Sequence, residues 1–132
     1  MKRCGLSKSE KIKSKKDFER LFTKGTTYIS SGKEIKINYA ISVNAEFSGV
    51  SFAVAVSKKS GTAVWRNRIK RLIRVSYRKN KSELVNICKS KRARLEIIFS
   101  PYELNQALKK HVKLNDIEPT VIEIITKLKY IV

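Results

Sequence analysis

Residues 57–78 read SKKSGTAVWRNRIKRLIRVSYR, and the fold turns on how this stretch divides. Ser57 closes the run VSFAVAVS (50–57), which sends Val50, Phe52, Val54 and Val56 one way and Ser51, Ala53, Ala55 and Ser57 the other, the period of a strand. KKSGT has loop composition, with Thr62 or Ser60 available to cap a helix. From Trp65 the period changes. Trp65, Ile69, Leu72, Ile73 and Ser76 fall on one helical arc, and Arg66, Asn67, Lys70, Arg71, Arg74 and Arg78 fill the opposite side. Trp65–Arg78 holds six cations and no carboxylate. Soluble helices normally mix signs, because like charges at helical spacing repel.

Upstream, EIKINYAISV (34–43) alternates Ile35, Ile37, Tyr39, Ile41 and Val43 against Lys36, Asn38, Ala40 and Ser42, a second strand, and NAEFSG (44–49) has turn composition. In SKKDFERLFTKG (14–25), Phe18, Leu21 and Phe22 form an apolar stripe on a short helix, with Ser14 and Asp17 spaced like a capping box and Gly25 as C-terminal cap. Residues 1–12 are basic and lack periodicity, as a mobile arm would. Downstream, KSELVNICKS (81–90) continues the helix or forms a short second one, and RARLEIIFSP (92–101) is a third strand that Pro101 stops. Residues 102–114 carry a weak helical pattern. The last segment predicts a helix with Asn115 or Asp116 as cap, Pro119 in the first turn, and Val121, Ile124, Ile125 and Leu128 as its seam. The order of helix, strands, helix, strand, helix predicts an α+β sandwich, with residues 1–132 as one domain.

The chain has 132 residues, 42% of them apolar, and a net charge of +19. Such a charge opposes compactness by self-repulsion, so a polyanionic partner is expected. No run approaches the ~20 apolar residues of a spanning helix, which disfavours a membrane, and the charged N-terminus has no apolar signal-like block. Cys4 and Cys88 lie far apart and suggest neither a disulfide framework nor a metal site, in keeping with a cytosolic setting.

Catalytic groups are sparse. His111 is the only histidine and sits among lysines, the eleven carboxylates are scattered, and no metal-ligand spacing occurs, so no catalytic or metal-binding residue is expected in this chain. The loop before the helix lacks the spacing of a nucleotide-hydrolysing phosphate loop. The helix start is nonetheless suited to anions, since Lys58, Lys59, Arg66 and Arg68 surround its free N–H groups. Between Glu46 and Glu83 stand ten cations and no acid: Lys58, Lys59, Arg66, Arg68, Lys70, Arg71, Arg74, Arg78, Lys79 and Lys81. Arginine forks match phosphate oxygens. A recognition helix for DNA is expected inside a small helical motif, whereas a basic helix between strands is more usual in RNA binders. Phe18 and Phe22 read most simply as core packing, and alternatively as stacking surfaces for unpaired bases.

Residues 57–78 closely resemble the central motif of the bacterial ribonuclease P protein family, in which Arg-Asn-Arg-x-Lys-Arg-x-x-Arg follows a strand and a small turn. Arg66-Asn67-Arg68, Lys70-Arg71 and Arg74 match in register, and KIKSKKDFERLFTKG (11–25) resembles the family's first helix. The resemblance implies a two-layer α-β sandwich, a fold related to one found in ribosomal proteins. In it the central helix joins two parallel strands by a left-handed β-α-β crossover, where the physics of twisted strands favours the right-handed one.

The resemblance further implies a protein subunit that binds a catalytic RNA and helps remove the 5′ leader of precursor tRNA. Hydrolysis there is carried by the RNA with Mg²⁺, and no cofactor is bound by the protein alone. Lys58, Lys59, Arg66, Asn67, Arg68, Lys70, Arg71 and Arg74 would meet the catalytic RNA. Phe18, Phe22, Lys15 and Tyr130 would line a leader-binding cleft, floored by Ser51, Ala53, Ala55 and Ser57. An aromatic from the first strand, Tyr28 or Tyr39, is also expected there. A monomeric protein, one per RNA, is expected in the bacterial cytoplasm, while the sequence leaves open whether the holoenzyme holds one protein or two. The chain departs from the family pattern at Thr62, where asparagine is usual, at Trp65, a variable site, and in a longer segment over residues 102–116. Another RNA-binding class, such as a ribosomal protein or RNA chaperone, is the alternative reading.

Overall fold

The alternation of residues 50–54 becomes a strand whose two faces bury against different partners. The computed structural model describes residues 11, 12, 14–43 and 48–132; the expectations for residues 1–10 and for most of the 44–49 turn lie outside them. The elements are α1 (Lys15–Lys24), β1 (Thr26–Ile29), β2 (Ile35–Ser42), β3 (Gly49–Val54), a 3-10 turn (Lys58–Ser60), α2 (Ala63–Asn80), α3 (Ser82–Ser90), β4 (Arg94–Pro101) and α4 (Leu114–Ile131). The four strands form one mixed sheet in the order β1-β2-β4-β3. β2 pairs antiparallel with both β1 and β4, whereas β3 and β4 are parallel neighbours joined through α2 and α3. This is the α+β architecture, with the β-α-β unit where residues 57–78 place it.

One sheet face presents Ile35, Ile37, Tyr39, Val50, Phe52, Val54, Leu95, Ile97 and Phe99 to the main core. That core is covered by the seams of α2 (Trp65, Ile69, Leu72, Ile73) and α4 (Val121, Ile124, Ile125, Leu128). The predicted arc of α2 is buried throughout and also includes Tyr77, whose ring stacks on Phe52 at 4.2 Å between centroids and meets Phe99 edge-on at 6.0 Å. The other sheet face holds a small cluster in which Leu21 of α1 packs with Ile12 and Ile98, joined by Phe18, Ala40, Ala53 and Ala55. Small side chains on that face admit a helix close to the sheet, and Arg20 pins α1 to β4 by donating to Glu96 at 2.8 Å.

Several local expectations change. Strand β1 has only four residues, too short for alternation to announce it, and exists because it pairs with β2. Ser14 flanks α1 without a side-chain cap, and Gly25 ends α1 in an extended conformation rather than a left-handed one. Gly25 is needed for space: a Cβ there would strike the Leu21 carbonyl oxygen and lie 3.0 Å from that of Tyr39. Residues 102–113 form turns, not a helix. Helix α4 starts at Leu114, so Asn115 and Asp116 lie inside its first turn and Pro119 beyond it. Asp116 still serves the helix start, because its carboxylate accepts the Lys113 N–H at 2.8 Å.

Candidate nucleic-acid interface

Strand β3 is an edge of the sheet, and the site is built around that edge. Lys11 and Ile12, expected within the mobile arm, pair with it instead: Ile12 N–H donates to the Phe52 carbonyl at 3.1 Å, and Ile12 is buried. Beside them opens a groove of about 570 Å³ lined by Lys11, Ile12, Phe18, Phe52, Ala53, Val54, Arg71, Arg74 and Arg78. Helix α1 brings Phe18 to it from one sheet face and α2 brings its arginines from the other. Residues 71, 74 and 78 stand at helical spacing i, i+3 and i+7, one stripe about 10 Å long.

Among the described residues these three arginines have neither a carboxylate partner nor a side-chain hydrogen bond. Among the described residues the groove lining contains no carboxylate or histidine. An apolar ring beside unneutralised guanidinium groups suits a strand of unpaired nucleotides, with a base on the ring and phosphates on the arginines.

The other predicted cations divide. Lys58 and Lys59 lie exposed on the turn after β3, where Ser57 Oγ accepts the Lys59 N–H at 3.2 Å. Thr62, rather than Ser60, caps α2, accepting the Trp65 N–H at 3.2 Å. Arg66 Nε donates to the Gly61 carbonyl at 3.1 Å and Arg68 Nε to the Val112 carbonyl at 2.8 Å, so both are tethered at Nε. Asn67 is exposed and Lys70 half-buried on the same helix. Lys79 is paired with Glu118 of α4 at 3.3 Å.

The expected cleft residues are only partly brought together. Phe18 lines the groove. Phe22 is 44% exposed and its ring centre lies 6.3 Å from that of Phe18, outside the lining; Lys15 is exposed on α1 and also outside it. Tyr130 is 87% exposed near the end of α4, whose seam packs on the sheet face opposite α1. The first-strand aromatics do not reach the groove either: Tyr28 and Tyr39 pack toward the main core, and the Tyr28 hydroxyl donates to Glu123 at 3.0 Å. Of the expected floor, Ala53 lines the groove and Ser51 is buried, accepting a hydrogen bond from Arg94 at 2.7 Å.

Sequence reasoning left Arg78 outside the matched motif, although its helical spacing from Arg71 and Arg74 could have found it. Lys11 and Ile12 offered no such signal, because their pairing with β3 is nonlocal.

Several of the described groups suited to chemistry are occupied or buried elsewhere. Burial pushes the Cys88 thiol up to about 11, so it stays protonated and unreactive. Burial would raise Glu123, but hydrogen bonds from the Ser31 N–H, the Ser31 hydroxyl and Tyr28 outweigh it and hold the carboxyl below its usual range. The Asn80 amide, with Lys79 adding to it, does the same for Glu118. His111 is exposed in the turn segment. Among the described residues no cluster of three metal-ligating side chains occurs, and no helix is long and apolar enough to cross a membrane.

A ribonuclease P family model matches residues 6–115. The chain belongs to the ribonuclease P protein family. It is 34% identical over 79 residues to the ribonuclease P protein component of Alkaliphilus metalliredigens, covering 60% of this chain and 67% of that one. The Staphylococcus aureus component is 36% identical over 80 residues, covering 61% and 65%. A solved structure of a mutant S. aureus RNase P protein superposes with a TM-score of 0.70 at 27% identity, covering 92% of this chain and 90% of that one. The Thermotoga maritima RNase P protein, at 18% identity and a TM-score of 0.68 over 89% of this chain and 96% of that one, shows the same fold. The chain is thus a protein component of ribonuclease P, the ribonucleoprotein endoribonuclease that matures tRNA 5′ ends, and its partner is the ribonuclease P RNA.

Proposed function

We propose that the residues around the β3 edge serve an RNA-binding subunit in two ways, with Arg71 and Arg74 shared between them. Lys58, Lys59, Arg66, Asn67, Arg68, Lys70, Arg71 and Arg74 dock the catalytic RNA through its phosphates. The groove takes the unpaired 5′ leader of precursor tRNA, with a base on Phe18 and phosphates toward Arg71, Arg74 and Arg78. Phe22 and Lys15, exposed on α1 beside Phe18, extend this surface along the helix. Tyr130 stands apart on the other layer and has no part in the groove. Water attack and Mg²⁺ belong to the RNA in this reading. The protein orients substrate and lowers the repulsion between two polyanions. One monomer per RNA suffices, in the bacterial cytoplasm.

The observation that carries the reading is the meeting, beside the β3 edge, of one half-buried aromatic with three arginines that have no partner among the described residues. Reconstitution tests it. Precursor tRNA cleavage at low Mg²⁺ is expected to need both protein and ribonuclease P RNA, and the protein's stimulation is expected to be larger for substrate with a leader several nucleotides long than for one with a single-nucleotide leader. Cleavage by the protein alone, or stimulation independent of leader length, would overturn it.

A further inference from the structure

Residues 102–113, turns where a weak helix was expected, cross the start of α2. The segment is fixed to the main core by Leu104 and Val112, 5% and 1% exposed. Between those anchors its polar groups meet α2 and the turn before it. The Gln106 N–H donates to the Ser60 carbonyl at 2.7 Å, and Gln106 Oε1 accepts the Thr62 N–H at 2.8 Å. One glutamine therefore clamps both residues that flank Gly61. The approach is close enough that a Cβ on Gly61 would lie 2.7 Å from Gln106 Oε1 and 2.9 Å from the Trp65 ring. Further along, the Lys109 carbonyl accepts the Trp65 indole N–H at 3.1 Å.

The clamped backbone is the backbone that holds the arginines. Gly61, between the two residues bound by Gln106, accepts from Arg66 Nε; Val112, at the strap's own anchor, accepts from Arg68 Nε. Each guanidinium is oriented through Nε while its terminal nitrogens are left for another acceptor. A long, freely rotating side chain loses conformational entropy when it binds, and a side chain already held loses less.

We propose that residues 102–113 are a positioning strap that presets Arg66 and Arg68 for RNA phosphates, with Gln106 and Trp65 as its positioning residues. This rests on the reading of α2 as the RNA-docking helix, and it names the device that orients that helix's first two arginines. Neither Gln106 nor Trp65 is a catalytic residue; both act through the guanidinium groups.

Two measurements test the strap, one without RNA. NMR exchange of the arginine Nε–H groups in the free protein is expected to show Arg66 and Arg68 protected, with Arg66 losing protection in Gln106→Met and Arg68 in Trp65→Phe. The second is a pair of double-mutant cycles read as affinity for a bacterial ribonuclease P RNA. Gln106→Met is expected to weaken binding about 3- to 10-fold in the otherwise native protein, and by less than about 2-fold when Arg66 is already alanine. Trp65→Phe is expected to behave likewise against Arg68→Ala. Equal losses in both backgrounds, no loss in either, or unchanged exchange would overturn the strap. Absence of RNA binding by the native protein would instead overturn the docking reading, and the exchange experiment would still decide whether the strap holds the arginines. Should Trp65→Phe fold poorly, Gln106→Met carries the test at a partly exposed site.

Discussion

Helices α2 and α4 are both 18 residues long, pack against each other and bury comparable apolar seams, yet they treat charge in opposite ways. Every acid of α4 has a partner within the protein. Asp116 caps its own helix and faces Lys109 at 3.4 Å, Glu118 meets Lys79 and Asn80, and Glu123 collects three hydrogen bonds from the β1–β2 corner. On α2 only Lys79 is ion-paired among the described residues, and its partner is α4. Arg66 and Arg68 are held by neutral carbonyls, and Arg71, Arg74 and Arg78 have no partner among the described residues. Acids on α4 close the fold, whereas most of the cations on α2 have no carboxylate partner among the described residues.

This contrast can be broken in order of size. The shared seam comes first: Tyr77→Ala is expected to lose about 3–5 kcal/mol of stability by opening the stack with Phe52 and Phe99, measured by denaturant unfolding. A loss under about 1 kcal/mol would show that the seam tolerates collapse there. Next, replacing Arg71, Arg74 and Arg78 together with alanine is expected to flatten the salt dependence of RNA affinity by about 2–3 log units per log unit of salt. Thermal stability should hold or rise as self-repulsion falls. An unchanged slope would put these arginines away from RNA.

Phe18→Leu should weaken binding of leader-bearing substrate by about 1–3 kcal/mol and leave leaderless tRNA unaffected, with a smaller effect from Phe22→Leu. Equal loss on both RNAs would return Phe18 to a packing role. The smallest effect probes α4. The folded Glu123 carboxyl lies below its ordinary value of 4.5, so its stabilisation is present above that pH and fades as pH falls through the folded value. Glu123→Gln should therefore melt below the native protein at pH 7, with the gap narrowing as pH falls below 4.5, and with RNA affinity unchanged. A pH-independent gap would mean that the ionised form is not what the Ser31 and Tyr28 donors hold.

Legibility in the sequence followed the range of the forces. The arc of Trp65, Ile69, Leu72, Ile73 and Ser76, the alternation of β3 and the Arg66–Arg74 motif are local periodicities, and each kept its place in the fold. Strand β1, the pairing of Ile12 with β3 and the turns of residues 102–113 are set by partners distant in sequence, so no local pattern announced them. Tyr28 and Tyr39 carried the right chemistry for a stacking cleft, but β-register turns them to the main core, and Tyr130 lies on a helix of the layer opposite α1.

By itself, then, the sequence determined the types of its strongly periodic elements, the α2 seam, the excess of positive charge and the family, because hydrophobic period and net charge are properties of the chain alone. Only the tertiary structure decided which cations are free. It joined Phe18 to Arg71, Arg74 and Arg78 across a strand edge, gave Lys79 to Glu118, and laid Gln106 over the start of α2. Whether a charge is open or satisfied depends on which side chains the fold brings within hydrogen-bond reach, and linear spacing does not encode that distance.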